Sequence, residues 1–128
     1  MSNFAFTIPR SFTGGSIRSV VHILKLWNLT VAQSAQLLGV SEAEFLSWKV
    51  AAPAEYDLPQ EIILRVSYVL GIYKALHTII PDTLLADSWI QHTNTGPLFG
   101  GAPPLTRMLQ GSIDDLQVVR GYLDSYIE

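Results

Sequence analysis

"LTVAQSAQLLGVSEAEFLSWK", residues 29–49, decides how this chain folds. Thr30 is followed three residues on by Gln33, and Ser41 by Glu44. Each pair is the signature of a capping box, in which side chains satisfy the amides left open at a helix start. Gly39 lies between the two boxes, where the first helix must end and the chain must turn. Ala35, just upstream, is small enough for a close helix crossing. Val31, Leu38, Val40, Phe45 and Trp48 supply the buried faces. The stretch is therefore predicted to be a helix-turn-helix.

Working outward, Val20, Val21, Ile23, Leu24 and Trp27 recur at helical spacing and predict a helix over residues 16–28. Residues 1–15, punctuated by Pro9 and Gly14-Gly15, read as an irregular N-terminal arm. On the other side, Pro53 and Pro59 frame a loop. A long amphipathic helix follows to about residue 80, with Pro59 in its first turn and Ile62, Ile63, Val66, Val69, Leu70, Tyr73 and Leu76 as its apolar stripe. Gly71 inside it costs about 1 kcal/mol relative to alanine, which close contact with another helix would explain. Pro81 stops this helix and Asp82 caps a short one, "TLLADSWIQ", which is expected to bury Leu84, Leu85, Trp89 and Ile90.

"NTGPLFGGAPPLTRML", residues 94–109, is shaped by glycine and proline yet is too apolar for a linker. Gly100-Gly101 allow a tight reversal, with Gly101 at positive φ. Pro103 and Pro104 start the next short helix, while Leu98, Phe99, Leu105 and Leu109 anchor the turn in the core. Gly111 ends that helix, and Ser112 with Asp115 caps a last one running nearly to the C-terminus. Its apolar positions are Ile113, Leu116, Val119, Tyr122 or Leu123, and Tyr126. No convincing strand and no internal repeat is visible. The expectation is an all-α protein of about seven helices. Its parts are an arm (1–15), a helix-turn-helix region (16–58), a long connecting helix (59–81) and a small C-terminal helical domain (82–128).

The chain has 128 residues, 48% hydrophobic and only 15% charged. That is more apolar surface than a small monomer easily hides, so a partner or self-association is expected. The absence of cysteine rules out disulfides, thiolate-bound zinc and a thiol nucleophile, and fits a reducing compartment. The start, "MSNFAFTIPR", lacks the features of a secretory signal. The longest apolar stretch, "IILRVSYVLGIYKALHTII", is broken by Arg65, Lys74 and His77 and reads poorly as a membrane span. A soluble, cytoplasmic protein is expected.

Little in the residues speaks for catalysis. His22, His77 and His92 are scattered without metal-ligand spacing. Asp114-Asp115 fit the first turn of a helix, where acids complement its dipole. The Gly100-Gly101 pair before a helix start has the look of an anion site, but no phosphate-loop pattern and no lysine accompanies it. No enzyme, metal or cofactor is therefore expected. The helix-turn-helix raises DNA binding, with Arg10, Arg18, Gln33, Ser41, Glu42, Ser47 and Lys49 as candidate contacts. Against it, the second helix carries Glu42 and Glu44, and the pI of 5.5 is poor for a chain that must neutralise phosphates unaided. The other reading is a helix-turn-helix used for packing or dimerisation.

Residues 29–49 resemble the Xre-type helix-turn-helix. Residues 87–128 resemble the C-terminal toxin-binding domain of the Xre/MbcA/ParS antitoxins. The second likeness is the more specific: Trp89, Asn94, the Leu98-Phe99-Gly100-Gly101 turn, Pro104-Leu105, Leu109, Gly111 and a final helix over 118–123 stand in the family's order. Together the resemblance spans about residues 16–128. It implies an antitoxin of a type II toxin–antitoxin pair whose partner is a RES-domain toxin that consumes NAD or transfers ADP-ribose from it. Such an antitoxin blocks the toxin's active site, and the complex represses its own operon, with the antitoxin as a homodimer within it. The implied toxin-binding residues, or their scaffold, are Trp89, Asn94, Phe99, Gly100, Gly101, Pro104, Leu105, Tyr122, Tyr126, Ile127 and Glu128. An acidic end containing Asp124 and Glu128 would suit a pocket built for NAD phosphates, or it is simply a solvated helix end. The alternative reading is a stand-alone helix-turn-helix transcription regulator.

Overall fold

The structure, a computed structural model, describes residues 14–127. Residues 1–13 of the predicted N-terminal arm, Arg10 among them, and Glu128 lie outside the described residues, whereas Gly14 and Gly15, expected in that irregular arm, open the first helix. Among the described residues the chain is all-α, with seven helices and no strand: α1 (Gly14–Leu26), α2 (Val31–Leu38), α3 (Glu42–Val50), α4 (Gln60–Ile79), α5 (Thr83–Ser88), α6 (Pro104–Met108) and α7 (Ile113–Asp124). Single 3-10 turns follow α3 (Glu55–Asp57) and α5 (Trp89–Gln91).

The predicted turn chemistry is explicit. Thr30 and Gln33 form a reciprocal capping box at the start of α2. Ser41 caps α3 from one side only, its hydroxyl accepting from the Glu44 amide at 3.0 Å. Gly39 sits at φ 74°, and the Gly39 and Val40 amides close α2 onto the Gln36 and Ala35 carbonyls. The same left-handed closure ends α1, where Asn28 takes φ 62° and the Leu29 amide reaches the Leu24 carbonyl. α1 therefore stops at Leu26, earlier than the spacing predicts.

Every other helix packs on or near α4. α1, α2, α5 and α7 all contact it, and Val66, Val69, Ile72 and Leu76 are fully buried along it. α4 is long and apolar enough to cross a membrane by length and composition. In this fold its apolar residues belong to the common core instead. Gly71 has the close contact its position calls for: a Cβ there would stand 2.5 Å from the Arg120 guanidinium of α7. Pro59 precedes α4 as its N-cap rather than entering the first turn, while Pro104 opens α6 as expected.

Several expectations about α5 and α7 are corrected. Leu84 and Leu85 do not enter the core. Leu84 is 80% exposed and Leu85 is exposed too, whereas Ala86 is buried, and Ile90 is buried as expected. The predicted helix through Trp89 also breaks, because residues 89–91 tighten into the 3-10 turn. At α7, Ser112 caps through the Asp114 amide, and the Asp115 carboxylate turns away to Arg107 Nε at 2.6 Å. Tyr126 leaves the predicted stripe: α7 ends at Asp124 and Tyr126 is 62% exposed.

One polar residue ties distant parts of the chain together. Arg65 is only 5% exposed, yet it lies within α4. Its Nη2 donates to the Gly111 carbonyl at 2.7 Å and to Glu61 at 3.1 Å. Its stem and Nε pass beneath Gly39, where a Cβ would meet Nε at 3.0 Å. Nearby, the Gln36 amide donates to the Leu109 carbonyl at 2.6 Å. The helix-turn-helix and the α6–α7 corner are thus held to the same side chain. Replacing Arg65→Ala is expected to lower unfolding free energy by about 3 kcal/mol, through the lost charged hydrogen bonds and the void left by the stem. Denaturant unfolding checks this, and an unchanged midpoint would contradict it.

Candidate functional site

The C-terminal part of the chain builds a compact aromatic assembly. The loop after the second 3-10 turn closes on itself: the Asn94 amide donates to the Ala102 carbonyl at 3.2 Å, and the Gly101 amide donates back to the Asn94 carbonyl at 2.8 Å. Asn94 Oδ1 accepts from the Gly96 amide at 2.8 Å. Gly100 and Gly101 take φ 57° and 90°, the conformations such a reversal needs. Both glycine amides point into the loop, to Gly96 and Asn94, and so are occupied rather than offered to an anion.

Inside this loop Phe99 is buried and meets Trp89 edge-on, with ring centroids 5.9 Å apart. Tyr122 of α7 packs edge-on against Phe99 at 5.3 Å and lies nearly parallel to Trp89 at 6.2 Å. Tyr126 adds a fourth ring at 5.3 Å from Tyr122, and its hydroxyl bonds the Tyr122 hydroxyl at 3.3 Å. Pro104, Leu105 and Met108 of α6 are buried. α6 itself contacts both the 3-10 turn and α7. The Arg107–Asp115 pair, 2.6 Å long and partly buried, braces α6 against α7.

Most of the residues singled out for partner binding are thus brought together, but in two roles. Phe99, Pro104 and Leu105 are buried, and with Asn94, Gly100 and Gly101 they form the scaffold. Tyr126 and Ile127 stand exposed at the end of α7, and Trp89 and Tyr122 are half-buried between scaffold and solvent. Leu98 of the loop, expected to anchor it in the core, is exposed instead, and with Leu84 and Leu85 of α5 it adds further exposed apolar groups to this part of the chain. Sequence spacing missed Leu84 and Leu85, because a six-residue helix has too few turns for periodicity to choose its buried face.

Of the described candidate DNA contacts, Ser41, Glu42, Ser47 and Lys49 lie at the start of or along α3, Gln33 on α2 and Arg18 on α1. Gln33 and Ser41 are spent on caps, and the Ser47 hydroxyl donates to the Glu44 carbonyl at 2.6 Å. Lys49 lies over the Phe45 ring, 5.6 Å from its centre. Glu42 is exposed on α3. Arg18 sits on α1, where with Ser19, His22, Ile23 and Tyr73 it lines a shallow open cleft of ≈530 Å³. Past Tyr73, whose ring lies 4.3 Å from His77, an unforeseen His77–Asp87 bond of 2.7 Å ties α4 to α5. Among the described residues no group of three or more His, Asp or Glu side chains is placed to hold a metal.

An all-α chain with a capped helix-turn-helix and an aromatic-braced C-terminal surface matches no protein-family model. It is 34% identical over 110 residues to the uncharacterized protein y4oB of Sinorhizobium fredii (strain NBRC 101917 / NGR234), an alignment covering 85% of this chain and 81% of that one. The chain belongs to the same family as that protein.

The hydroxyl of Tyr122 titrates above the ordinary tyrosine value, first because of its bond to Tyr126, then because of burial; a hydrogen bond with the Asn94 side chain acts the other way. A raised pKa means that the neutral form is favoured in the folded state. Its contribution to stability is complete below the unfolded value and is lost as pH rises through the folded one. Tyr126→Phe removes the main cause, so Tyr122 in that variant should titrate closer to an ordinary tyrosine. NMR of ring-labelled tyrosine checks this, and an unmoved Tyr122 midpoint would show that the Tyr126 hydroxyl is not responsible.

Proposed function

We propose that this chain is the antitoxin of a type II toxin–antitoxin pair, acting in the cytoplasm on a RES-domain toxin that consumes NAD or transfers ADP-ribose from it. It neutralises that toxin by binding and covering its active site, with no catalysis of its own. The reading rests on the resemblance of residues 87–128 to the toxin-binding domain of the Xre/MbcA/ParS antitoxins. The observation that carries it is the end of α7: Tyr126 and Ile127 project into solvent from a helix fixed by the Trp89–Phe99–Tyr122 cluster.

Steric blocking requires a rigid support and an exposed anchor. An aromatic or aliphatic side chain held in place before contact loses little entropy on binding, which is why such anchors dominate interface energies. Here the loop, α6 and α7 provide the support, and Tyr126 and Ile127 the anchor. Asp124 is engaged with Arg120 at 3.5 Å, so the acidic character beyond the anchor falls to Glu128.

A second reading, favoured by the intact α2–turn–α3 unit, is transcription regulation. In the antitoxin it takes the form of operon autoregulation by the toxin-bound complex; alone, it makes the chain a stand-alone regulator. It predicts salt-sensitive binding to the chain's own promoter. No shift of that DNA, with or without the toxin, would remove it.

The main test is co-expression with the RES-domain protein expected to be encoded beside this chain. The full chain should co-purify with it and restore growth. A chain lacking residues 126–128 should keep its helical spectrum and a cooperative unfolding transition, since Leu123 is the last buried residue among those described, yet bind about tenfold or more weakly. Failure of the full chain to co-purify, or unimpaired rescue by the truncated one, would contradict the reading.

A further inference from the structure

The arginines of this chain are unevenly engaged. Among the described residues Arg65, Arg107 and Arg120 each hold a carboxylate, and Arg18 holds none. Arg18 is exposed on α1, and His22 follows one turn on, along the same side of the helix. Lys25 continues that side, and α1 contains no acidic residue. Arg18 and His22 both line the ≈530 Å³ cleft between α1 and α4, together with Ser19, buried Ile23 and, from α4, Tyr73. No acidic side chain lines it. The Tyr73 wall is held in place from within the protein. His77 packs against the Tyr73 ring at 4.3 Å and is itself bonded to Asp87 at 2.7 Å. The Asp87 carboxylate is therefore engaged by His77 and does not answer Arg18.

We propose that the α1–α4 cleft binds a small phosphate monoester that carries a planar ring, a mononucleotide being the simplest case. The phosphate meets Arg18 and His22, and the ring lies against Tyr73 and Ile23. The guanidinium presents a fork of donors that fits two phosphate oxygens, and the imidazole adds a further donor from the same side of α1. A doubly charged group with three terminal oxygens satisfies both, whereas a carboxylate carries one charge and two oxygens. The remaining wall is aromatic and aliphatic, and such a surface takes the flat face of a ring without demanding further hydrogen bonds. An apolar lining with a few convergent polar groups, in a volume between about 300 and 1,000 Å³, is the usual make-up of a small-molecule site. The cleft is shallow and open, so a dissociation constant of about 100 μM is expected. Arg18, a candidate DNA contact in the sequence, is here given to a small anion. The site draws no lining residue from α2, α3 or α7, and so leaves both surfaces of the proposed function free. The inference goes beyond the antitoxin reading and does not rest on it.

The test is titration of the full chain with adenosine 5′-monophosphate, followed by calorimetry and by amide NMR. Binding should saturate, with the largest shifts in residues 18–23 and around Tyr73. Adenosine alone and inorganic phosphate alone should each bind more weakly than the nucleotide. Arg18→Gln and His22→Gln should each weaken binding by about tenfold or more. Arg18 is exposed, so its substitution leaves the fold intact, and an unchanged helical spectrum confirms this. Tyr73→Leu, which keeps apolar volume and removes the ring, should weaken the nucleotide while leaving inorganic phosphate unchanged. Lys49→Gln on α3 should leave both unchanged. Absence of saturable binding, binding indifferent to Arg18→Gln, or inorganic phosphate bound as tightly as the nucleotide would overturn the proposal. So would binding of duplex DNA that depends on Arg18 and His22 while the nucleotide does not bind, which would assign these cations to a nucleic-acid backbone. Co-purification with the toxin is read separately, so failure here and failure of the antitoxin reading are distinguishable.

Discussion

The fold depends on a buried cation. Arg65 sits within a long apolar helix, where a guanidinium is tolerable only if partners offset its burial. Its Nη2 has two, Glu61 one turn earlier and the Gly111 carbonyl from 46 residues downstream, while the buried Nε has no hydrogen-bond partner among the described residues. The stem is covered by the left-handed turn at Gly39, whose missing Cβ leaves the room. Three regions that look separate along the chain thereby share one side chain: the helix-turn-helix, the long helix and the α6–α7 corner. The regions drawn as successive domains pack into a single core.

That shared frame gives the C-terminal end its character. α7 is held along its length against α4, with the Arg120 guanidinium laid over Gly71. At its end it is held by the rings of Trp89, Phe99 and Tyr122. Beyond Leu123 none of the described residues is buried, and Tyr126 and Ile127 stand out as exposed apolar groups. Such an arrangement offers a stiff base and a protruding apolar anchor. The composition points the same way, since a chain with so few charges leaves apolar side chains over for contacts with other molecules.

What the sequence disclosed follows the range of the interactions involved. Caps and stops are local, so Thr30 with Gln33, Ser41, Gly39, Asp82, Pro104 and Gly111 were legible, and with them the all-α fold and its helix order. Gly71 announced a close neighbour but not which one; only the tertiary structure supplies Arg120. Arg65 read merely as an interruption of an apolar run, because its partner is far away in the chain. Asp115 read as half of a cap, because the attraction of Arg107 is not written in local spacing. In the candidate site, Trp89, Phe99 and Tyr122 were named singly, and that their rings meet is a tertiary fact that no local spacing discloses. The outward turn of Leu84 and Leu85 was not legible at all.

The central claim is that the surface around the end of α7, on this rigid frame, is where a protein partner is bound. Hydrogen exchange of the full chain, alone and with the proposed RES-domain toxin, tests it most directly. New protection concentrated in residues 84–85, 96–102 and 122–127, with α2 and α3 unchanged, is the result predicted. Protection confined to α2 and α3, or none in the presence of the partner, would contradict it.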